Sequence, residues 1–182
     1  MEPLDTEPAG ISVHKSFISQ EHEDTILKIL LNNLAWPDRK GRRSLHYGYT
    51  FSYKTFAIDE HVPYEPFPDW LKPLLPTGED RAPDQVCVQH YPPGTGIPPH
   101  VDTHSAFDQL YSLSLGSPLL MQFCHGETKE KVDVDLEPRT MMRMSGDSRL
   151  HWTHGIRSRR RKRLGARISR EQSYCSAALQ WR

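Results

Sequence analysis

Three residues of this chain have the types and spacing to hold a redox metal. His100 and Asp102 stand two apart within Tyr91–Ala106, which reads YPPGTGIPPHVDTHSA. On an extended backbone, side chains two apart point to the same side, so an imidazole nitrogen and a carboxylate oxygen aim at a common point. A third ligand is available downstream in Trp152-Thr153-His154-Gly155. Two histidines and one carboxylate on one face of a metal leave the opposite positions open, which is the pattern of a non-haem Fe(II) oxygenase. An isolated H-x-D occurs often by chance. Its setting sharpens it here: a Pro/Gly-rich approach, strand-like runs after it, and a later histidine in a Trp-Thr-His-Gly turn. His104 and His151 compete with His100 and His154 as ligands, but on a strand His151, three residues before His154, would face away. His125 falls at a turn and reads as solvent-facing, and Asp108 as an exposed loop acid.

Chemistry of this kind resides in the metal and its cosubstrate, so the protein's task is binding, orientation and protection. The chain accordingly shows no convincing Ser/His/Asp or Cys/His arrangement and no phosphate loop. Other residues suit substrate recognition. The turn DRKGRR precedes the aromatic run LHYGYTFSY. The structural reading is a β-hairpin with its aromatics buried. The functional reading is a lid, with Arg42, Arg43 and His46 for phosphates and Tyr47 or Tyr49 for stacking on a base. Arg149, on the approach to the ligand turn, could contact substrate or form a structural salt bridge.

These residues need a scaffold. Ser19 is a plausible N-cap for a helix over Gln20–Leu34, with Glu21, Glu23 and Asp24 suited to its first turn and Ile26, Leu30 and Leu34 on one apolar face. Residues 59–84 are rich in Pro and Asp and read as a surface connection with a short helix near Asp69–Leu74. From Gln85 the pattern turns strand-like: Gln85–Tyr91, the neighbourhood of Val101, Gln109–Leu115, Leu119–Phe123, Val132–Leu136, Thr140–Ser145 and His151–Thr153, separated by turn signals. Many short strands at even spacing after one helix predict a mainly β protein with an N-terminal helix, a two-sheet jelly roll.

The 182 residues suffice for one domain with a real core. No apolar run approaches the roughly 18 residues of a spanning helix. The acidic start, MEPLDTEPAGIS, lacks a signal-peptide core, and residues 1–10 read as disordered. Cys87, Cys124 and Cys175 are odd in number and have no C-x-x-C spacing, which suits free thiols in cytosol or nucleus. Residues 1–156 carry 14 Lys and Arg against 22 Asp and Glu, a net −8, while residues 157–182 carry nine against one, a net +8. The basic run Arg157–Arg163 (RSRRRKR) is either a solvated tail or a nucleic-acid contact.

The run GIPPHVDTHSAFDQLYSLSLGS resembles the AlkB family of Fe(II)/2-oxoglutarate dioxygenases, in its homologue-eight branch. The likeness extends through HYGYTFSY, HYPPGTG, LMQFCHG, EPRTMM and GDSRLHWTHGI, from about Ile11 to Arg157. It implies a double-stranded β-helix, bound Fe(II), 2-oxoglutarate and O2, and a tRNA or other RNA substrate. In that branch the domain hydroxylates a modified wobble uridine and is flanked by an RNA-recognition motif and a methyltransferase domain, for which these residues have no room. The resemblance matches His100, Asp102 and His154 to the iron ligands and Tyr91 to a tyrosine that contacts 2-oxoglutarate. Two residues earlier, where the family usually has Asn, this chain has Gln89. The family closes its core with a strand bearing two arginines six apart, the first of which pairs with the distal carboxylate of 2-oxoglutarate. Here Arg167 begins that motif and the second arginine is missing, with Arg161 as the fallback anchor. The final strand therefore reads as disrupted, the domain as residues 11–170, and residues 171–182 as a divergent tail. Three functions follow: an active RNA hydroxylase, an impaired fold that binds RNA or a partner without turnover, or an oxygenase of a protein or small molecule. A monomer without membrane attachment is expected.

Overall fold

Alternation of apolar and polar residues along short segments builds two antiparallel sheets. The structure is a computed structural model that describes residues 1–3, 8–52, 54–55, 57–79, 82–102, 108–158 and 176–181. In chain order the first strands are β1 (Glu2–Pro3), β2 (Ile11–His14), β3 (Arg43–Gly48), β4 (Phe51–Ser52), β5 (Ala57–Ile58), β6 (Gln85–Tyr91) and β7 (Ile97–His100). There follow β8 (Leu110–Leu115), β9 (Leu119–His125), β10 (Lys131–Leu136), β11 (Met141–Met144), β12 (Trp152–Ile156) and β13 (Ser176–Trp181). Helix α1 spans Gln20–Asn32, α2 spans Gly146–Leu150, and Lys72–Leu74 form a single 3-10 turn.

The larger sheet has the order β1-β2-β11-β8-β13-β6-β3, the smaller one β10-β9-β12-β7, and β4 and β5 form a separate small hairpin. The inner core lies between the two main sheets. Leu110, Met142 and Met144 from the larger sheet pack with Phe123, Leu136 and Trp152 from the smaller. This is the expected mainly β, two-sheet jelly roll. The other face of the larger sheet is covered by α1, whose Ile26 and Leu30 join Val86, Val88, Leu113 and Leu115 in a second core. Full burial of side chains of this size contributes about 1.5–3 kcal/mol each.

Helix α1 starts where its cap predicts: the Ser19 hydroxyl accepts from the His22 N–H at 3.1 Å. One of its first-turn acids also reaches outward. Glu23, 2% exposed, accepts from the Gly116 N–H at 2.8 Å and lies 3.5 Å from Arg139 Nε, which fastens the helix to the turn after β8 and the loop before β11.

Four expectations change. Glu2 and Pro3 pair with β2 rather than being disordered. The segment from Leu45 is not a local hairpin. Its strand β3 pairs along its whole length with β6, 40 residues away, and only Phe51–Ser52 and Ala57–Ile58 form a hairpin. The short helix near Asp69–Leu74 contracts to the 3-10 turn, because Pro73 can donate no backbone N–H. The span read as a divergent tail contains β13, which is hydrogen-bonded on both sides, to β6 and to β8. A gap between two paired strands carries two rows of unsatisfied backbone groups, and the chain fills it with SAALQW.

Candidate metal and cosubstrate site

His100 ends β7 and stands directly opposite His154 on β12, their ring centroids 4.5 Å apart. Close approach of the two strands depends on Gly155. A Cβ there would lie 2.9 Å from the Ile97 carbonyl oxygen and 2.9 Å from the Pro99 nitrogen, so only glycine fits. Asp102 lies two residues beyond β7, past the end of the strand, and is buried like His154. The ligand atoms of His100, Asp102 and His154 all fall within 4.8 Å of one another, with His154 Nε2 3.4 Å from Asp102 Oδ2. That is close to the width of one coordination sphere, about 4–4.4 Å for donors 2.0–2.2 Å from an ion.

The surroundings orient these donors. His100 Nδ1 donates to the Pro98 carbonyl at 2.9 Å, which leaves Nε2 with its lone pair for a metal. Phe123 lies behind His154, ring centroids 6.0 Å apart, and keeps that side apolar. Arg149 is 3% exposed and its Nη1 donates to the Asp102 backbone carbonyl at 2.9 Å. Arg149 therefore braces the ligand-bearing segment. Sequence offered no signal for this, since the bond spans 47 positions. The three residues fit a divalent transition metal of the iron type, being two imidazoles and one carboxylate with a fixed tautomer at His100.

A buried polar patch lies near them on the inner face of β6. Gln89 and Tyr91, 6% and 5% exposed, sit two apart on that face. Tyr91 donates its hydroxyl to Gln89 Oε1. Burial pushes the Tyr91 phenol far above its ordinary value; the Arg42 cation pulls it down, and Cys87 and Asp102 push it further up. The phenol thus stays protonated as a donor, and Tyr91 packs with Ile97 of β7 and Ile156 of β12, the strands that carry His100 and His154. Arg42 Nη1 donates to Gln89 Oε1 at 2.9 Å and to Ser44 Oγ at 3.3 Å.

The substrate residues expected of the DRKGRR and LHYGYTFSY segments do not lie on one face of the sheet. The register pairs Ser44 with Gln89 and Leu45 with Val88, so alternate residues of β3 turn to opposite faces of the sheet. Arg42 reaches the pocket side. Arg43, opposite His90, and Tyr47, partly buried and edge-on to Trp70 at 6.5 Å, turn to the α1 side and are removed from the pocket. Burial, with Glu65 second, raises the Tyr47 phenol. His46 is exposed, and Tyr49, 43% exposed, packs edge-on against Tyr64 at 4.9 Å. His151 is exposed and 4.0 Å from Asp147, away from the ligands. His125 is half-buried, its Nδ1 accepting from the Glu127 and Thr128 N–H groups of its own turn. Arg161, Arg167 and His104 lie outside the described residues.

A model of the 2OG-Fe(II) oxygenase superfamily matches residues 10–177. The chain is 39% identical over 167 residues to the Xenopus tropicalis protein named tRNA (carboxymethyluridine(34)-5-O)-methyltransferase alkbh8, covering 84% of this chain and 26% of that one. It is 29% identical over 192 residues to the Arabidopsis thaliana alkylated DNA repair protein ALKBH8 homolog, covering 90% of this chain and 55% of the relative. The chain thus spans about a quarter of the vertebrate relative's length and about half of the plant one's. The solved structure of OsALKBH1 superposes with a TM-score of 0.67 at 16% identity, covering 99% of each chain, and shares the AlkB-like double-stranded β-helix.

Proposed function

The chain belongs to the 2OG-Fe(II) oxygenase superfamily, and from that premise we propose that it is an Fe(II)/2-oxoglutarate-dependent dioxygenase that oxidises RNA, hydroxylating a modified wobble uridine of tRNA. The observation that carries the reading is the convergence of His100, Asp102 and His154 beside the Gln89–Tyr91 pocket. When bound, iron and 2-oxoglutarate supply the oxidising chemistry. The chain's own residues bind and orient. His100, Asp102 and His154 hold the metal from one side. Pro98 fixes the His100 tautomer, and Arg149 holds the Asp102 backbone. Tyr91 keeps its proton and gives it to Gln89 Oε1, which holds the Gln89 amide in place, and the Phe123 side excludes water. The Xenopus relative is named for carboxymethyluridine 34 of tRNA, which supports the substrate class.

A second reading is favoured by one observation. The strand beside Tyr91, β13, reads SAALQW and contains no arginine, which supports an impaired fold that binds RNA without turnover. Anaerobic titration of the Fe(II)-loaded chain with 2-oxoglutarate decides between them. The dioxygenase reading requires a saturable visible metal-to-ligand charge-transfer band, abolished by Asp102→Ala, followed by 2-oxoglutarate consumption stimulated by modified anticodon stem-loop RNA. Iron binding without a band at any concentration selects the second reading.

A further inference from the structure

The pocket beside Tyr91 needs a cation if it is to hold an acidic ligand, and its two flanking strands differ in what they provide. In the larger sheet β6 lies between β13 and β3. On one side, Ser176 of β13 stands opposite Tyr91 and Ala178 opposite Gln89, and the strand's sequence contains no basic residue. On the other side, Arg43 stands opposite His90, so Arg42 falls next to Tyr91 when the register is carried one residue further. Its side chain follows that placement, donating to Gln89 and Ser44 and lowering the Tyr91 phenol electrostatically.

Arg42 is also electrostatically unspent. It is half-buried, its Nη1 donates to the neutral oxygens of Gln89 and Ser44, and its other hydrogen-bonding neighbour is the neutral Tyr91 hydroxyl. No carboxylate among the described residues forms an ion pair with it. A guanidinium has five donors in a planar fork, so the remaining donors are available to a carboxylate in bidentate geometry. Tyr91 already gives its hydroxyl proton to Gln89 Oε1, and it packs with Ile97 of β7 and Ile156 of β12, the strands that carry His100 and His154, which marks the direction of the metal ligands. A dicarboxylate that meets the metal with one end would find Arg42 at the other.

We infer that Arg42, at the start of β3, anchors the distal carboxylate of the 2-oxo acid cosubstrate, the cation arriving from the β3 side of β6 instead of from the strand between β6 and β8. This assignment rests on the dioxygenase reading and names the anchor for it. It differs from the expectation that Arg167 or Arg161 serves.

The test is binding to the full chain loaded with Mn(II) under nitrogen, measured by calorimetry. The ligands are 2-oxoglutarate and 2-oxobutanoate, the latter lacking the distal carboxylate. Arg42→Gln is expected to weaken 2-oxoglutarate about 10- to 100-fold, the loss of one charge-assisted pair, with 2-oxobutanoate and Mn(II) affinities unchanged. Arg161→Gln and Arg167→Gln should leave all three values unchanged. If Arg42→Gln fails to bind Mn(II), Arg42→Met, which keeps the aliphatic stem, is read in its place. Equal 2-oxoglutarate affinity in wild type and the Arg42 variant overturns the assignment alone, as does a selective loss in the Arg167 or Arg161 variant. Absence of 2-oxoglutarate binding to the wild-type chain overturns the dioxygenase reading itself, and the anchor with it.

Discussion

At the scale of single residues, β6 carries two opposed environments one position apart. Gln89 and Tyr91 face the metal side, while His90 between them faces α1, its ring 5.4 Å from Trp36 and in register with Arg43. Both His90 ring nitrogens are buried without a hydrogen-bond partner. Burial, and secondly the Arg43 charge, lower its pKa below the ordinary 6.5. The folded chain therefore holds this imidazole neutral while an unfolded chain would protonate it. The sign follows directly: between the folded and unfolded pKa the unfolded state binds more protons, so stability rises with pH there. His90 contributes fully above about pH 6.5 and its contribution is lost as pH falls through the lowered folded value. Urea midpoints measured from about pH 7.5 down to about pH 5 should fall more steeply for wild type than for His90→Phe, which cannot titrate. Parallel curves for the two proteins would show that His90 is not held neutral.

At the scale of elements, the tie between α1 and the larger sheet is Glu23. Its carboxylate satisfies the Gly116 N–H and faces Arg139, a residue in the left-handed region at φ 65° in the loop that leads into β11. Glu23→Ala strands a buried donor and removes the counter-charge of a cation whose side chain keeps 29% exposure. The expected cost is about 2–3 kcal/mol, below the usual range for a fully buried pair because Arg139 retains water. Glu23→Gln, which keeps an acceptor for Gly116, should cost less than half of that. Chemical denaturation with an unchanged m-value checks both, and equal stability of Glu23→Ala and wild type would refute the tie. The same helix shows which information is local. Its start at Ser19, its apolar face and its acidic first turn were legible, because caps and periodicity depend on neighbours in sequence. That Glu23 serves a partner 93 positions away was not. The candidate metal triad was legible for a related reason: few residue types bind iron, and His100 and Asp102 sit at and just past a strand end that sequence marks, whereas His154, expected in a turn, is the middle residue of β12. Which arginine of Arg42 and Arg43 faces the pocket was not legible, because it depends on the register of β3 against β6, and one step in register exchanges the two faces. Strand β13 escaped for the same cause. SAALQW does alternate, with Ala177, Leu179 and Trp181 two apart, but its place between β6 and β8 depends on pairing with strands far away in sequence.

At the scale of the whole chain, charge is divided between the residues that carry the candidate metal ligands and a basic C-terminal stretch. Residues 1–156, which supply all three metal ligands, carry net −8, and a polyanion is repelled by that field. Residues 157–182 carry net +8, with Arg159, Arg160, Arg161, Lys162 and Arg163 consecutive. If RNA is the substrate, as proposed, its affinity is expected to come mainly from a few phosphates neutralised by this segment, with release of their counterions. Each such contact to a single strand contributes about −0.7 to the slope of log affinity against log salt, so five contacts give a slope of about −3.5. A variant with all five of residues 159–163 changed to Gln should bind an anticodon stem-loop weakly and almost independently of salt, while its Mn(II) affinity stays at the wild-type value. Fluorescence anisotropy across a salt series measures the slope. A wild-type slope near zero, or an unchanged slope in the variant, would place RNA recognition on the acidic scaffold and remove the division of labour. A steep wild-type slope that the variant flattens would mean that the scaffold contributes base recognition and chemistry, while the basic segment delivers the polyanion against the scaffold's own charge.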